Sequence, residues 1–158
     1  MNFTEETNTD QLLKVLNKLF PKYSNHVVAL DELKKLEPKM GQNIIINFDK
    51  STGPGIHWVA VTIREEAYAV FYDSFAVEPH REILQFMKKA QSKGIVRDTV
   101  MNTHQVQTFK QSACGWYCLY FMNNYINKRM QAWKATTKIT HKGTISFAKR
   151  MFKLYLKK

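Results

Sequence analysis

The sequence predicts an α+β fold, formed by a single domain over residues 1–158. Two observations support this class. Several segments carry apolar residues at the spacing of a helix face, and other short runs are rich in β-branched and aromatic residues, which is typical of strands. A chain of 158 residues fits one domain and buries roughly two-thirds of the surface that its unfolded form exposes.

Helices are predicted from the spacing of apolar residues and from signals at the ends of each segment. Residues 10–20 carry leucines at helical spacing and stop before a proline. Residues 79–93 have an apolar face and are followed by a glycine, which commonly caps a helix. Residues 114–127 are mostly apolar without an internal proline, so they predict a largely buried helix. Weaker patterns predict further helices at residues 31–36 and 144–156.

Four strands are predicted. Residues 43–48 form a short apolar run that indicates a buried strand. Residues 56–63 and 67–72 are rich in β-branched and aromatic residues, and the charged segment between them joins them as a hairpin. A fourth strand is predicted near residues 99–109. The hairpin places the end of its second strand beside the start of its first.

Cys114 is the candidate nucleophile, because the first turn of the helix predicted at residues 114–127 favours a thiolate. A thiol attacks a carbonyl mainly as the thiolate, and the unpaired N–H groups and dipole of a helix N-terminus stabilise an anion. Gly115 follows it and is expected to leave room for a substrate backbone. Cys118 lies one helical turn further on and is expected to be a small core residue.

His57 is the candidate base, and Asp73 is the residue expected to orient it. Imidazole titrates near neutral pH, which suits acid and base catalysis. His57 lies in the first strand of the hairpin and Asp73 directly follows the second, so the two side chains are expected to meet. Asp73 can alternatively cap its own turn by bonding nearby backbone amides. Asp49 is the weaker alternative acid.

A glutamine before Cys114 is the candidate donor to the oxyanion that forms when the thiolate attacks a carbonyl. Gln107 and the backbone N–H of Cys114 would supply the two donors, and losing one such donor typically costs on the order of a hundredfold to a thousandfold in rate. From the residues alone, Gln105 and Gln111 compete with Gln107 for this role.

Cysteine content and hydropathy favour an intracellular, reducing setting. Two cysteines on one helix are a poor disulfide framework, so both are expected to be free thiols. No metal site is predicted, because their spacing is not the CxxC pair typical of structural zinc sites. No segment approaches the roughly 20 apolar residues of a membrane span, and the acidic, polar N-terminus is unlike a signal peptide. A monomer is the default expectation.

Positive charge is concentrated in the second half of the chain. The net charge is +11; residues 1–98 contain 13 basic and 13 acidic side chains, whereas residues 99–158 contain 11 basic and no acidic ones. Such one-sided charge predicts a polyanion partner, with DNA as the natural candidate. The alternative is a solvated basic face that only keeps the protein soluble. The predicted nucleic-acid-binding residues are Lys128, Arg129, Lys134, Lys138, Lys142, Lys149, Arg150 and Lys153.

The order of the candidate site residues resembles the adenovirus maturation endopeptidase (adenain) family, which is related to the proteases that process ubiquitin-like modifiers. The pattern is Gly-Ile-His57-Trp58, then Tyr-Asp73-Ser-Phe, then Gln107 followed after six residues by Ala-Cys114-Gly. It falls within residues 44–124, and its spacing selects Gln107 among the three glutamines. The resemblance implies a papain-like or adenain-like domain: a mixed or antiparallel sheet carries the histidine and the acid and packs against the helix that carries the cysteine.

The resemblance also implies the role of each residue. Cys114, His57, Asp73 and Gln107 would be catalytic, and no cofactor would be needed for the chemistry. Trp58 matches a tryptophan that packs beside the active site in the family; the alternative is that it simply fills the core. Gly55 lies in a turn expected at the lip of the cleft, so the predicted substrate contacts are Trp58, Gly55 and Gly115.

Two features depart from the adenovirus pattern. Asp73 stands where the adenovirus enzymes usually have glutamate, which resembles the modifier-specific branch instead. An activating peptide of the adenovirus kind is linked by a disulfide, and Cys118 is the only other cysteine available to accept one. Cys118 is expected inside the fold, so activation by a disulfide-linked peptide is not expected. DNA or a viral peptide bound without a disulfide is the candidate activator.

The sequence thus predicts a viral cysteine endopeptidase that cleaves capsid or other structural precursor proteins during virion maturation. It would act in the virion and at the intracellular assembly site, in the host nucleus or a cytoplasmic viral factory, with DNA as a partner and no membrane. One alternative is an isopeptidase that removes ubiquitin or a related modifier. Another is a basic DNA-binding virion protein without catalysis, and an acyltransferase on a similar scaffold is more distant.

Overall fold

The computed structural model describes residues 3–48, 57–106 and 112–157. A five-stranded mixed sheet in the order β1-β2-β3-β4-β5 forms its centre. The antiparallel strands β2, β3 and β4 lie in the middle, and each edge strand pairs in parallel with its neighbour. The predicted α+β class is therefore confirmed. The strands are β1 (Ser24–Ala29), β2 (Gln42–Asn47), β3 (Trp58–Glu65), β4 (Tyr68–Tyr72) and β5 (Asp98–Met101).

Helices cover both faces of the sheet. A short 3-10 helix, Leu30–Lys35, follows β1, and π-helical turns at Asn123–Asn127 and Phe152–Leu156 continue α3 and α5. Within the described ranges, no helix has the length and apolar character needed to cross a membrane. The α-helices are α1 (Thr9–Leu19), α2 (Arg81–Ser92), α3 (Cys114–Met122), α4 (Ala132–Thr137) and α5 (His141–Met151).

The two faces of the sheet bury two separate cores, because neighbouring residues of a strand point to opposite faces. In β2, Ile45 joins the core formed with α1, α3 and α5, whereas Ile44 and Ile46 join the core beneath α2. All residues of α3 except Tyr120 are buried, which explains why its sequence is apolar on every side. α3 is thus the central helix of the larger core.

Arg64 fixes the far end of the α3 region to the sheet. Its Nη1 donates to the backbone carbonyls of Tyr125 at 2.6 Å and Met130 at 2.9 Å. Its guanidinium also lies over the ring of Tyr125, 3.9 Å from the centroid. Because the last carbonyls of a helix lack partners within the helix, a cation that binds them stabilises its C-terminal end.

The structure differs from the sequence prediction at three places. β1 and α4 were not predicted: β1 is half-buried along its whole length, and α4 is a six-residue helix ending in two threonines, so neither has a clear apolar pattern. The strand predicted at residues 99–109 ends at Met101. The next residue, Asn102, binds the backbone of Asp73 through its side chain.

Candidate active site

Cys114 is the first residue of α3 and lies beside the start of β3. Its N-cap residue is Ala113, which has no side chain that could bind the free N–H groups of the first turn. The backbone N–H of Trp58 donates to Sγ of Cys114 at 3.4 Å. The sulfur therefore has a direct N–H donor and lies at the positive end of a helix dipole, two features that favour the thiolate.

His57 and Asp73 form a close pair where two neighbouring strands end: His57 directly precedes β3, and Asp73 directly follows β4. Oδ1 of Asp73 accepts a hydrogen bond from Nε2 of His57 at 2.7 Å, and their side chains are 1% and 18% exposed, respectively. Burial alone would lower the pKa of His57, but hydrogen bonds and charge attraction from Asp73 and Cys114 outweigh it and raise the pKa to about 9. With Nε2 bound to Asp73, Nδ1 is the nitrogen left for Cys114.

The carboxylate of Asp73 also organises its own turn. Its Oδ1 accepts from the backbone N–H of Phe75 at 2.9 Å, and its backbone carbonyl accepts from the N–H of Ala76 at 2.8 Å. Ala76 has a φ of 55°, in the left-handed region that favours glycine, so the turn is held in a strained form. Asp73 thus makes both of the contacts that the sequence analysis treats as alternatives, one to His57 and one within its own turn.

Aromatic rings surround the imidazole of His57. Phe75 stacks on it, with centroids 4.4 Å apart and planes 20° apart, and Phe48 lies 5.5 Å away at 56°. Phe48 in turn contacts His80 at 4.3 Å. Phe75 and Phe48 were not predicted as site residues. Phe75 lies two residues after Asp73, and Phe48 directly follows β2. These positions were the signals that could have identified them as site residues.

Asn102 is the other contributor that the sequence analysis missed. Its side chain accepts from the N–H of Asp73 at 2.9 Å and donates to the carbonyl of Asp73 at 2.7 Å. It directly follows β5, which runs parallel to β4, and Asp73 directly follows β4. Once two strands are known to be parallel neighbours, the residues after them are expected to meet at one edge.

Two of the predicted substrate contacts, Trp58 and Gly115, are buried in the structure. Trp58 is 3% exposed and its side chain belongs to the larger core, while its backbone N–H binds the thiol of Cys114. Gly115 is buried, and a Cβ on it would collide with Oγ1 of Thr7 and lie 3.0 Å from a methyl group of Leu12. The room predicted for substrate at Gly115 is thus filled by the chain's own N-terminal segment. Gly55 and Gln107 lie outside the described residues.

Cys118 is a buried free thiol, as predicted. It is 0% exposed, and burial raises the pKa of its thiol well above the ordinary value. Its Sγ donates to the backbone carbonyl of Trp58 at 3.4 Å. The peptide groups on either side of Trp58 therefore connect the two thiols of α3 to β3. Within the described part of the chain, no group of three or more His, Cys, Asp or Glu side chains is placed to hold a metal ion.

The predicted nucleic-acid-binding residues all lie on the surface. All eight are exposed, and among the described residues none of them forms an ion pair with an acidic side chain. Trp133 is 57% exposed beside them, with the ammonium of Lys134 5.6 Å from its ring centroid. The helix α5 presents Lys142, Lys149 and Arg150 opposite its buried side. Glu5 is the acidic side chain that lines a pocket together with Lys142 and Lys149, and it forms its ion pair with His141 at 4.0 Å.

Proteins of known function show what the chain is similar to. A cysteine protease of African swine fever virus is 23% identical over 117 residues, which cover 70% of this chain and 43% of the relative. A relative from another isolate, named a SUMO-1 cysteine protease, is 22% identical over 117 residues with the same coverage. The chain thus spans less than half the length of these relatives. No protein-family model matches it.

Solved structures agree on the fold. The crystal structure of the African swine fever virus protease superposes with a TM-score of 0.74 at 15% identity, covering 94% of this chain and 68% of that one. A selenomethionine crystal structure of the same protease gives 0.72 at 18% identity, covering 92% and 67%. The chain therefore shares its fold with this viral cysteine protease and is homologous to it.

Proposed function

We propose that this protein is a cysteine endopeptidase with Cys114 as nucleophile, His57 as base and then acid, and Asp73 as the residue that orients His57. The observation that carries the proposal is the 2.7 Å hydrogen bond between His57 and Asp73 beside a thiol at the N-terminus of a buried helix. The homology to a viral cysteine protease supports the same activity.

The chemistry follows from these positions. The thiolate of Cys114 attacks the carbonyl carbon of the scissile peptide, and the imidazolium of His57 donates its proton to the leaving amine. A thioester between Cys114 and the acyl half of the substrate results. Water then attacks the thioester while His57 takes its proton, which releases the acid product and the thiol. We assign Gln107 and the N–H of Cys114 as oxyanion donors, and no cofactor takes part.

The proposed substrates are structural precursor proteins of a virus, processed in the virion or at its assembly site in the manner of the adenain family. The spacing of His57, Asp73, Gln107 and Cys114 supports this reading, as do relatives that are viral proteases. A second candidate is removal of a ubiquitin-like modifier. An aspartate at position 73 and a relative named a SUMO-1 cysteine protease favour that alternative.

Alkylation of the native protein tests the activated thiol. Iodoacetamide labelling between about pH 5 and pH 9, with mass spectrometry to locate the site, is compared between wild type and His57→Ala, because thiolates and not thiols react. We expect Cys114 to label fast at low pH in wild type and slowly in His57→Ala. Cys118→Ala is the matched control and should label like wild type. Labelling of Cys114 no faster than an ordinary thiol would contradict the proposal.

Two active-site probes separate the candidate substrates. One is a ubiquitin-like modifier with an electrophile at its C-terminus, and the other is a short peptide carrying the same electrophile. Labelling of Cys114 by the modifier probe would favour deconjugation, and labelling only by peptides would favour precursor processing. Cys114→Ala controls for reaction elsewhere.

We further propose that the basic surface of α5 and of the π-helical turn that continues it binds DNA. We expect Lys142→Glu/Lys149→Glu/Lys153→Glu to weaken binding to a duplex and to flatten its salt dependence, since each lost phosphate contact reduces the slope by about one. A variant with the same change in net charge on the other half of the chain, Lys14→Glu/Lys18→Glu/Lys88→Glu, is the control. An equal loss of duplex binding in both variants would favour the alternative, a solvated basic face that only keeps the protein soluble.

A further inference from the structure

Asn102 and Asp73 leave the sheet side by side. β4 and β5 are parallel, and Phe71 of β4 is paired with Met101 of β5. The backbone N–H of Asn102 donates to the carbonyl of Phe71 at 3.3 Å, so the ladder between the two strands continues as far as Asn102. Asp73, two residues beyond Phe71, is then within reach of the Asn102 side chain.

The side-chain amide of Asn102 holds the backbone of Asp73 at two points. Oδ1 accepts from the N–H of Asp73 at 2.9 Å, and Nδ2 donates to its carbonyl at 2.7 Å and to the carbonyl of His104 at 3.4 Å. Asn102 is 7% exposed and Asp73 is 1% exposed. A primary amide carries an acceptor and a donor on the same carbon, an arrangement that an ionised carboxylate or an apolar side chain lacks, so the pairing depends on this side-chain chemistry.

We propose that Asn102 is a positioning residue for the reaction: it fixes the backbone of Asp73 so that the carboxylate meets Nε2 of His57. The inference rests on the proposed function. Asp73 is then held at its backbone N–H, at its backbone carbonyl and, through the N–H of Phe75, at its carboxylate. The two backbone anchors fix the position of the Asp73 backbone, and the third holds the carboxylate where Oδ1 meets Nε2 of His57.

Loss of the amide would release this arrangement. Without Asn102, the buried N–H of Asp73 must find another partner, and its carbonyl keeps only the bond from the N–H of Ala76, which costs free energy unless the turn moves. Movement of the turn draws Oδ1 away from Nε2 of His57. The imidazolium then loses part of its stabilisation, which is a measurable change at His57 and not only a loss of global stability.

Substitutions of different chemistry at position 102 separate a change at His57 from a loss of global stability. Asn102→Leu has a similar size and removes both contacts, whereas Asn102→Ser retains a single hydroxyl that cannot replace both. Asn43→Leu is the matched control. Asn43 is also an asparagine in the sheet region, is 0% exposed, and donates to Oδ1 of Asn25 at 3.1 Å. It lies at the opposite end of β2 from Asn47, the residue that pairs with Trp58.

The experiment measures the pKa of His57 by NMR of labelled histidine, with the other four histidines as internal references. All variants carry Cys114→Ala, so the thiolate does not contribute and changes report on Asp73. We expect Asn102→Leu to lower the pKa of His57 by about 1 unit or more, because an opposite charge within hydrogen-bond distance shifts a pKa by about 1 to 3 units. Asn102→Ser should give a smaller shift in the same direction, and Asn43→Leu none.

The inference is overturned if folded Asn102→Leu, verified by its thermal transition, titrates at His57 like the parent. If Asn102→Leu does not fold, an unchanged pKa in Asn102→Ser overturns it in the same way. Alkylation of Cys114 in the proteins that retain the thiol keeps the two proposals apart. An unreactive Cys114 in wild type would refute the proposed function, while the titration of His57 would still decide the role of Asn102.

Discussion

The imidazole of His57 stacks on the ring of Phe75, with the two centroids 4.4 Å apart. The backbone N–H of the same phenylalanine donates to Oδ1 of Asp73, the atom that binds Nε2 of His57. Phe75 thus contacts both members of the pair, one through its ring and the other through its backbone. Because a cation is attracted to an aromatic face, the stack favours the imidazolium and restricts rotation of its ring.

Replacing Phe75 by leucine should lower kcat/KM for a peptide substrate by roughly threefold to tenfold, the effect of about 1 kcal/mol of lost ring contact. The backbone N–H to Asp73 remains, so the change isolates the ring. Phe86→Leu is the control, because Phe86 is a buried phenylalanine of α2 in the other core. It should lower the unfolding temperature without lowering kcat/KM. Equal kcat/KM in Phe75→Leu and wild type would show that the stack has no catalytic effect.

Folding stability should depend on pH through His57. Its pKa is raised from 6.5 to about 9 in the folded protein, so the folded state binds this proton more tightly than the unfolded state does. The resulting stabilisation is complete below pH 6.5 and is lost as the pH rises through 9. Urea unfolding at a series of pH values should therefore show that wild type loses more stability over this interval than Asp73→Asn does. Parallel curves for the two proteins would contradict the coupling.

Peptidase activity should fall at high pH with an apparent pKa near 9, the value to which the pKa of His57 is raised. Above it, His57 has no proton to donate to the leaving amine. The measured value belongs to the Cys114 and His57 pair together. The pH profile of kcat/KM measures it, and a basic limb near 6.5 would show that Asp73 does not stabilise the imidazolium.

Gly115→Ala should destabilise the fold by about 1–3 kcal/mol, because a methyl group is forced into a filled space. That space is occupied by Oγ1 of Thr7, which packs over the start of α3. The double variant Thr7→Gly/Gly115→Ala should recover part of the loss relative to the sum of the single changes. Free energies of urea unfolding for all four proteins give the coupling. Additive values would mean that Thr7 is not the obstacle.

Local sequence patterns were sufficient to predict part of this site. The β-branched runs around His57 and before Asp73 predicted the hairpin, and the apolar helix after Cys114 placed the thiol at a helix N-terminus. Both features depend on neighbours in the chain. The contact of His57 with Asp73 then followed from the hairpin alone.

Other features depend on contacts between distant parts of the chain. Asn102 acts through the parallel pairing of β4 with β5, which no local pattern reveals, and the sequence placed it inside a longer strand. Gly115 was interpreted as open space because the path of the N-terminal segment, including Thr7, is set by tertiary packing. The residues of β1 show no alternation of apolar and polar side chains. β1 is an edge strand whose two faces are both partly covered, so neither face needs to be strictly apolar.

The burial of α3 determines how its thiol is maintained over time. Eight of the nine residues of α3 are buried, so the amide protons bonded within this helix should exchange with solvent mainly when the domain opens. The backbone that carries Cys114 would then persist for as long as the native state does, and the candidate nucleophile would belong to a slowly exchanging cooperative unit.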